Sequence, residues 1–302
     1  MSNQKYRDEN GVLYNKLGIT DAKVLRDVEY QYSLIKAEAI MSGDTVTRAD
    51  YGLDKLKDIH KELFGGIYEW AGQARETPSG KWESLSKTAT RFVDPEDIPA
   101  AWKKIESSIG DYLGSATPSL EQSRKVLQDI FVAANHSHVF VEGNGRALQI
   151  FMSQLAQEKG LDIDFTKADR DMWNMACALS APHDKIYDRI HRIPQEPNTA
   201  PLEKIFQDIV VPGVGYSHSP TTPSQNEPAS SAQLQQLESE YKKNQHLLSP
   251  MQKQVAAAAQ KVFDSLPVEV QNQAKINLYQ NQLASISRSS PSQDMDDYGH
   301  DR

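Results

Sequence analysis

The stretch His138-Val139-Phe140-Val141-Glu142-Gly143-Asn144-Gly145-Arg146 decides how this chain is read. It gathers an imidazole, a carboxylate, two glycines, an amide and a guanidinium, with apolar Phe140 placed to pin the run to a core. Ahead of it, Leu120, Leu127, Ile130, Phe131 and Ala134 recur at helical spacing; behind it, Ala147, Leu148, Ile150, Phe151 and Leu155 form a mostly apolar helical surface. The local reading is helix, short glycine-containing loop, buried helix. A helix N-terminus that follows glycines offers unsatisfied N–H groups and a positive dipole end, which suits an anion and above all a phosphate.

Each residue type in the run has a chemical use. His138 can accept a proton near neutral pH and so act as a general base. Glu142 is a hard oxygen ligand, suited to magnesium carried by nucleotide phosphates. Gly143 and Gly145 let backbone amides approach phosphate oxygens without a Cβ in the way. Asn144 can donate through its side chain, and Arg146 can fork onto phosphate oxygens and offset developing charge. The same letters also allow a plainer reading, since glycine and asparagine are ordinary turn residues between two helices.

The run resembles the signature of the Fic family, HxFx(D/E)GNGRxxR. A second string, Ile67-Tyr68-Glu69-Trp70-Ala71-Gly72, resembles another recurrent Fic element ending in W-A-G, and NGVLYNKLGI near the start resembles a Fic lead-in. The resemblance covers roughly residues 6 to 211. It implies an all-α, Fic-type helical domain with a small β-hairpin flap. Members typically transfer AMP from ATP to a hydroxyl side chain of a target protein. By resemblance, His138 deprotonates that hydroxyl, Glu142 holds Mg2+, and Gly143, Asn144, Gly145 and Arg146 hold the phosphates. Two positions depart from the pattern. Val139 replaces a proline, which loosens the loop. Gln149 replaces the second arginine, so the contact to the distal phosphates keeps a donor and loses a charge.

The leading expectation is therefore Mg2+-dependent transfer of AMP from ATP to a Ser, Thr or Tyr hydroxyl of a protein. Two rivals stand beside it: a Fic enzyme that uses another nucleotide because of Gln149, and a catalytically degenerate module that binds a partner. Lys81 to Phe92, rich in Ser, Thr, Lys and Arg after the breakers Pro78, Ser79 and Gly80, reads as a hairpin or as a solvated loop. In the family such a flap aligns the target by β-augmentation, and Lys87, Thr90 and Arg91 are its test positions. Some members carry an inhibitory helix, (S/T)xxxE(G/N). The nearest string here, Ser265 to Glu269, is broken by Pro267 and is not accepted, so any regulation would need a separate, antitoxin-like inhibitor protein or another device.

Further elements follow from caps and spacing. Thr20 reads as an N-cap of a helix to about Ile40, and a second helix spans about Leu53 to Phe64 with His60 packed inward. The W-A-G string reads as a short aromatic helix stopped by Gly72. Asp94 with Pro95 and then Thr117-Pro118 read as caps, and Thr166 with Asp169 as a capping box. Met172, Trp173 and Met175 read as core, and helical stretches Ile186 to Ile193 and Leu202 to Val211 close the domain. His136 reads as structural; a metal pair with His138 lacks further ligands. The domain assignment is 1–211 Fic-like, 212–232 flexible linker, 233–286 helical appendage and 287–302 disordered tail.

A net charge of −8 argues against general nucleic-acid binding. The single cysteine, Cys177, excludes an intramolecular disulfide framework and reads as a small buried hydrophobe. No signal peptide is visible, and no apolar run approaches the roughly 20 residues of a membrane span. The expected location is the cytoplasm where the chain is made, with secretion into a target cell as a toxin or effector an option by family habit.

Overall fold

A computed structural model describes residues 5–116, 118–187, 192–213, 231–247 and the single positions 260, 272, 275, 276, 279, 280 and 283. The chain divides into two compact units, Met1–Lys16 with Lys36–Thr221, and Leu17–Ile35 with Thr222–Arg302.

The first unit is built from helices around the signature loop. Helix α1 (Ala22–Met41) ends in it; α2 (Leu53–Phe64), α3 (Ile98–Gly114), α4 (Leu120–Ser137) and α5 (Asn144–Gln157) belong to it whole. Helix α2 turns Leu56, Ile59, His60, Leu63 and Phe64 inward at helical spacing. Helix α3 follows a 3-10 turn (Pro95–Asp97); Asp94 stands before it but makes no side-chain capping bond. Helix α4 is capped by Ser119: its hydroxyl accepts the Gln122 N–H while the Gln122 side-chain oxygen accepts the Ser119 N–H; Thr117, read as a cap in the sequence, lies outside the described residues. Helices α4 and α5 bracket the loop, and Phe140 and Phe151 are fully buried. Trp102 of α3 meets Phe151 edge-on at 5.8 Å and donates through its indole to Ser137 at 3.0 Å, which joins packing to polar satisfaction at the end of α4.

Strand content exceeds the expected hairpin. The flap is present as β1 (Gly80–Glu83) and β2 (Thr88–Arg91), antiparallel with Lys81 opposite Thr90. After β3 (Leu161–Ile163) and α6 (Arg170–Leu179), however, β4 (His183–Ile186) pairs with the inner side of β2, and β5 (Arg192–Gln195) pairs with β4. The sheet order is β1-β2-β4-β5. The helix expected from Ile186 to Ile193 is thus overturned. Its two ends are strand, Ile186 closing β4 and Arg192 and Ile193 opening β5, where main-chain pairing with the neighbouring strands replaces helical bonds; residues 188–191 lie outside the described residues. Helix α7 (Ala200–Ile209) closes the unit and runs into β6 (Val210–Pro212), which pairs with β3.

Three smaller expectations are corrected. Residues 67–72 form successive tight turns rather than a helix, with Ile67 and Tyr68 N–H groups on the Phe64 carbonyl. Asp169 alone caps α6, taking the N–H groups of Asp171 and Met172, while Thr166 bonds Asp164 in the turn before. Met172 is 49% exposed and Met175 only part-buried, so the inner face of α6 is Ala176 and Ala178 together with Trp173, part-buried against Phe131 at 5.1 Å and Phe206 at 6.3 Å.

In the second unit, α1 begins on Asp21, whose carboxylate accepts the N–H groups of Lys23 and Val24; Asp21, not Thr20, is its cap. Helix α8 (Ser231–Asn244) falls on the start of the expected appendage, and Tyr241 stacks on Tyr279 at 4.6 Å. Most of the expected linker, most of the appendage beyond residue 247, the string Ser265 to Glu269 and the tail 287–302 lie outside the described residues. No described helix is long and apolar enough to cross a membrane.

Candidate active site

The signature residues occupy one short bend. His138 is the C-cap of α4, left-handed at φ 41° and ψ 60°, and Gly143 at φ 80° is the N-cap of α5. Between them Phe140 reaches into the core and stacks on His60 at 3.7 Å. The bend is tied across its base by Asn144, whose side chain accepts the Phe140 N–H at 2.8 Å and donates to the Phe140 carbonyl at 2.7 Å. That side chain is a clasp, so what it leaves for an anion is its backbone N–H. With Gly145 it lies in the first turn of α5, where no earlier carbonyl of the helix reaches.

The two glycines differ. A Cβ on Gly143 would sit 2.4 Å from the Phe64 ring and 3.2 Å from His60 Nε2, so this glycine answers to packing and to its positive φ. A Cβ on Gly145 would meet nothing within 4 Å; this glycine faces open space. Glu142 Oε1 accepts the Gly143 N–H at 3.0 Å and lies 3.8 Å from Arg146, and its side chain is 46% exposed. The Arg146 guanidinium is spread 4.7 Å over the Phe64 ring. Gln149, one turn on, is part-buried and uncharged, and no described residue hydrogen-bonds its amide.

His138 is laid flat on Phe92 at 3.7 Å and 2°. Its Nδ1 is shut off from solvent and lacks a partner in hydrogen-bonding geometry. Burial first, then the charges of Arg75 and Lys81, push its pKa down to about 3, against a small opposing pull from the Asn135 carbonyl. The ring is therefore neutral at pH 7. His136 instead bonds the Arg91 carbonyl through Nε2 at 3.1 Å, as its structural reading requires. Cys177 is inert, its thiol pushed up to about 12 by burial.

The flap residues separate. Lys87 sits exposed at the hairpin turn at φ 53°. Arg91 is exposed at the end of β2. Thr90 is buried and turns its hydroxyl to the Ala178 carbonyl at 3.3 Å, so its side chain does not face outward. The main chain of β2 is paired on both sides, which moves any strand addition to β1, an outer strand of the sheet. Trp82, 53% exposed, stands on β1 beside a depression of about 580 Å3 that is also lined by Lys81, Arg91, Asp94 and Arg192.

Two residues hold the bend from outside, His60, whose inward packing was expected but not its bond to the loop, and Arg75, which sequence reasoning missed. His60 is fully buried; its Nδ1 accepts the Gly72 N–H and its Nε2 donates to the Glu142 carbonyl, both at 2.9 Å, so the tautomer is fixed and the ring neutral. Arg75 bonds the His138 carbonyl. His60 shows in the sequence only as a polar residue on the inner face of α2, and Arg75 only as a basic residue three after the W-A-G string.

A family model for the Fic/DOC family matches residues 50–156. The chain is 30% identical over 161 residues to the Sinorhizobium fredii protein named probable protein adenylyltransferase y4lH, covering 52% of this chain and 77% of that protein. It is 33% identical over 170 residues to the protein adenylyltransferase VbhT of Bartonella schoenbuchensis, covering 56% of this chain and 34% of the relative, so it spans about a third of that relative's length. Among solved structures, the BepC effector of Bartonella tribocorum with bound AMPPNP superposes with a TM-score of 0.59 at 24% identity, over 70% of this chain and 99% of that one.

Proposed function

This chain belongs to the Fic/DOC family, and from that membership we propose that it is a protein adenylyltransferase, moving AMP from ATP to a Ser, Thr or Tyr hydroxyl of a target protein with Mg2+. The observation that carries the reading is the bend itself: a neutral imidazole at one end, and at the other a helix N-terminus with an open glycine, an arginine and an exposed carboxylate. Two of its relatives are named as adenylyltransferases.

The residues fit the two absent groups. Among the described residues no cluster of three or more His, Cys, Asp and Glu could hold a metal alone. One half-exposed carboxylate, Glu142, suits a cation shared with nucleotide phosphates. Bound there, magnesium would neutralise phosphate charge. The amides of Asn144 and Gly145 and the guanidinium of Arg146 would hold the phosphate oxygens, and Gln149 would add a neutral donor to the distal ones. His138 would take the proton of the target hydroxyl. At a pKa of about 3 it is a weak base; phosphates beside it raise its proton affinity when they arrive. The chemistry is otherwise positioning and charge stabilisation. The target segment would add along β1, whose outer side no described strand covers. Inhibition, in this reading, is the task of a separate protein.

Gln149 favours a second reading, in which another nucleotide is the donor. Labelled ATP, and then each other nucleotide in turn, incubated with Mg2+ in a lysate distinguishes the two by mass spectrometry of the modified protein. Transfer from ATP that is lost in a folded His138→Ala variant is the expected result. No transfer from any nucleotide, with no calorimetric binding of ATP and Mg2+, refutes the proposal and favours a partner-binding module.

A further inference from the structure

Arg75 is 3% exposed, and among the described residues no carboxylate lies within ion-pair distance of it. Its donors go to carbonyls instead. Nε donates to His138 at 2.7 Å, Nη1 to Thr77 at 2.8 Å and Nη2 to Val93, while its main-chain N–H donates to the Val139 carbonyl at 2.8 Å. A buried cation whose every side-chain hydrogen bond goes to a carbonyl, with the Asp94 carboxylate acting on it only from beyond ion-pair distance, is an expensive way to close a turn. It sits where the carbonyl end of α4 gives negative potential, and it grips one of the two non-glycine residues at positive φ among the described residues. His138 is left-handed, a conformation that non-glycine residues keep only where their surroundings impose it.

We propose that Arg75 is a positioning residue for the transfer reaction: by holding the His138 carbonyl it keeps residue 138 left-handed and its ring flat on Phe92, so that the base meets the target hydroxyl in one orientation. This rests on the reading of His138 as the base. The rigid fork matters because its donors reach three separate segments, the ends of the flap at Thr77 and Val93 and the start of the signature loop at His138. Flap and loop are thereby set against each other by one side chain. The charged groups acting on the His138 ring are Arg75 and Lys81 of β1; Phe92 meets it with a neutral ring, and α4 contributes the Asn135 carbonyl. Both charges disfavour the protonated ring, so the same guanidinium that orients the base helps to keep it free of a proton before reaction.

The test is proton NMR of the 302-residue chain with labelled histidines, combined with steady-state kinetics. Stacking on Phe92 displaces the His138 ring resonances upfield, and Phe92→Leu, with Arg75 intact, identifies them by removing that displacement. Arg75→Met, which removes every side-chain donor, is expected to lose the displacement and to lower kcat about 10- to 100-fold with KM for ATP changed less than about threefold. Arg75→Lys, which keeps the charge and a donor, is expected to recover part of both. Unmoved His138 resonances in Arg75→Met, or kcat within about twofold of the parent, overturn the proposal. Should Arg75→Met not fold, the unaltered protein still decides: the Arg75 Nε–H must be protected from solvent exchange and show coupling across the hydrogen bond to the His138 carbonyl carbon, and rapid exchange without coupling overturns it. The NMR readings need no nucleotide, so a protein that transfers nothing would refute the adenylyltransferase reading while leaving this one to be judged separately.

Discussion

Gly143→Ala adds one methyl group at the most constrained point of the bend. The residue stands at φ 80°, and the new Cβ would lie 2.4 and 2.5 Å from two carbons of the Phe64 ring. A left-handed alanine costs about 1–2 kcal/mol, and forcing a methyl into a closed core costs about 1–3 kcal/mol more. The sum, about 2–5 kcal/mol, is a large part of the roughly 5–15 kcal/mol that holds a domain together. At about 2–4 °C per kcal/mol for a unit of this size, Tm should fall by about 4–20 °C. The assay is thermal and urea unfolding without ligand, followed by far-UV dichroism. Phe64→Leu removes the ring atoms that the methyl meets, so Gly143→Ala should cost less in that background, leaving mainly the backbone part. Gly145→Ala is the internal control: its Cβ has nothing within 4 Å, and alanine in a helix exceeds glycine by about 0.5–1 kcal/mol, so Tm should hold or rise while nucleotide affinity falls. Equal Tm values for Gly143→Ala and the parent would refute the packing argument for this residue.

Three further outcomes can be checked. His60 and His138 both have pKa values lowered to about 3 by burial, below the roughly 6.5 of an unfolded histidine. The unfolded chain therefore binds more protons between those values; stability is fully present above about pH 6.5 and is lost as pH falls toward 3. The urea midpoint should drop between pH 7 and pH 4.5, and less so in His60→Gln; an equal drop in both proteins would remove His60 from the account. If residue 149 meets the distal phosphates as proposed, Gln149→Arg adds a charge there and should tighten ATP binding about 10- to 100-fold by calorimetry, the worth of a charge-assisted hydrogen bond; unchanged affinity would place residue 149 away from the nucleotide. Thr90→Val should lower stability by about 0.5–1.5 kcal/mol through the lost bond to Ala178, whereas exposed Arg91→Ala should leave the urea midpoint in place and alter only target labelling.

Local order was legible from the letters because it is written in local rules. Helical spacing on either side of residues 138–146 fixed α4 and α5, and glycine beside asparagine fixed the bend between them. The hairpin was visible in its breakers. Caps went wrong by one to three residues, as at Thr20 for Asp21 and Thr166 for Asp169, because several capping-competent residues stand side by side and only hydrogen-bond geometry chooses among them. The stretch Ile186 to Ile193 was read as helix although its two ends belong to β4 and β5, because strand pairing across the sheet leaves no mark in so short a segment.

By itself the sequence determined which groups meet at the bend, since nine consecutive residues cannot be far apart, and with them the class of chemistry on offer. The tertiary structure alone decided how those groups are held. It assigned the Asn144 side chain to a clasp, Gly143 to packing and Gly145 to open space, turned Thr90 inward, and brought His60 and Arg75 onto the loop across 82 and 63 residues of chain. Contacts of that kind leave no spacing in the sequence, because the partners share neither a helix face nor a strand, only a place in space where buried carbonyls require donors.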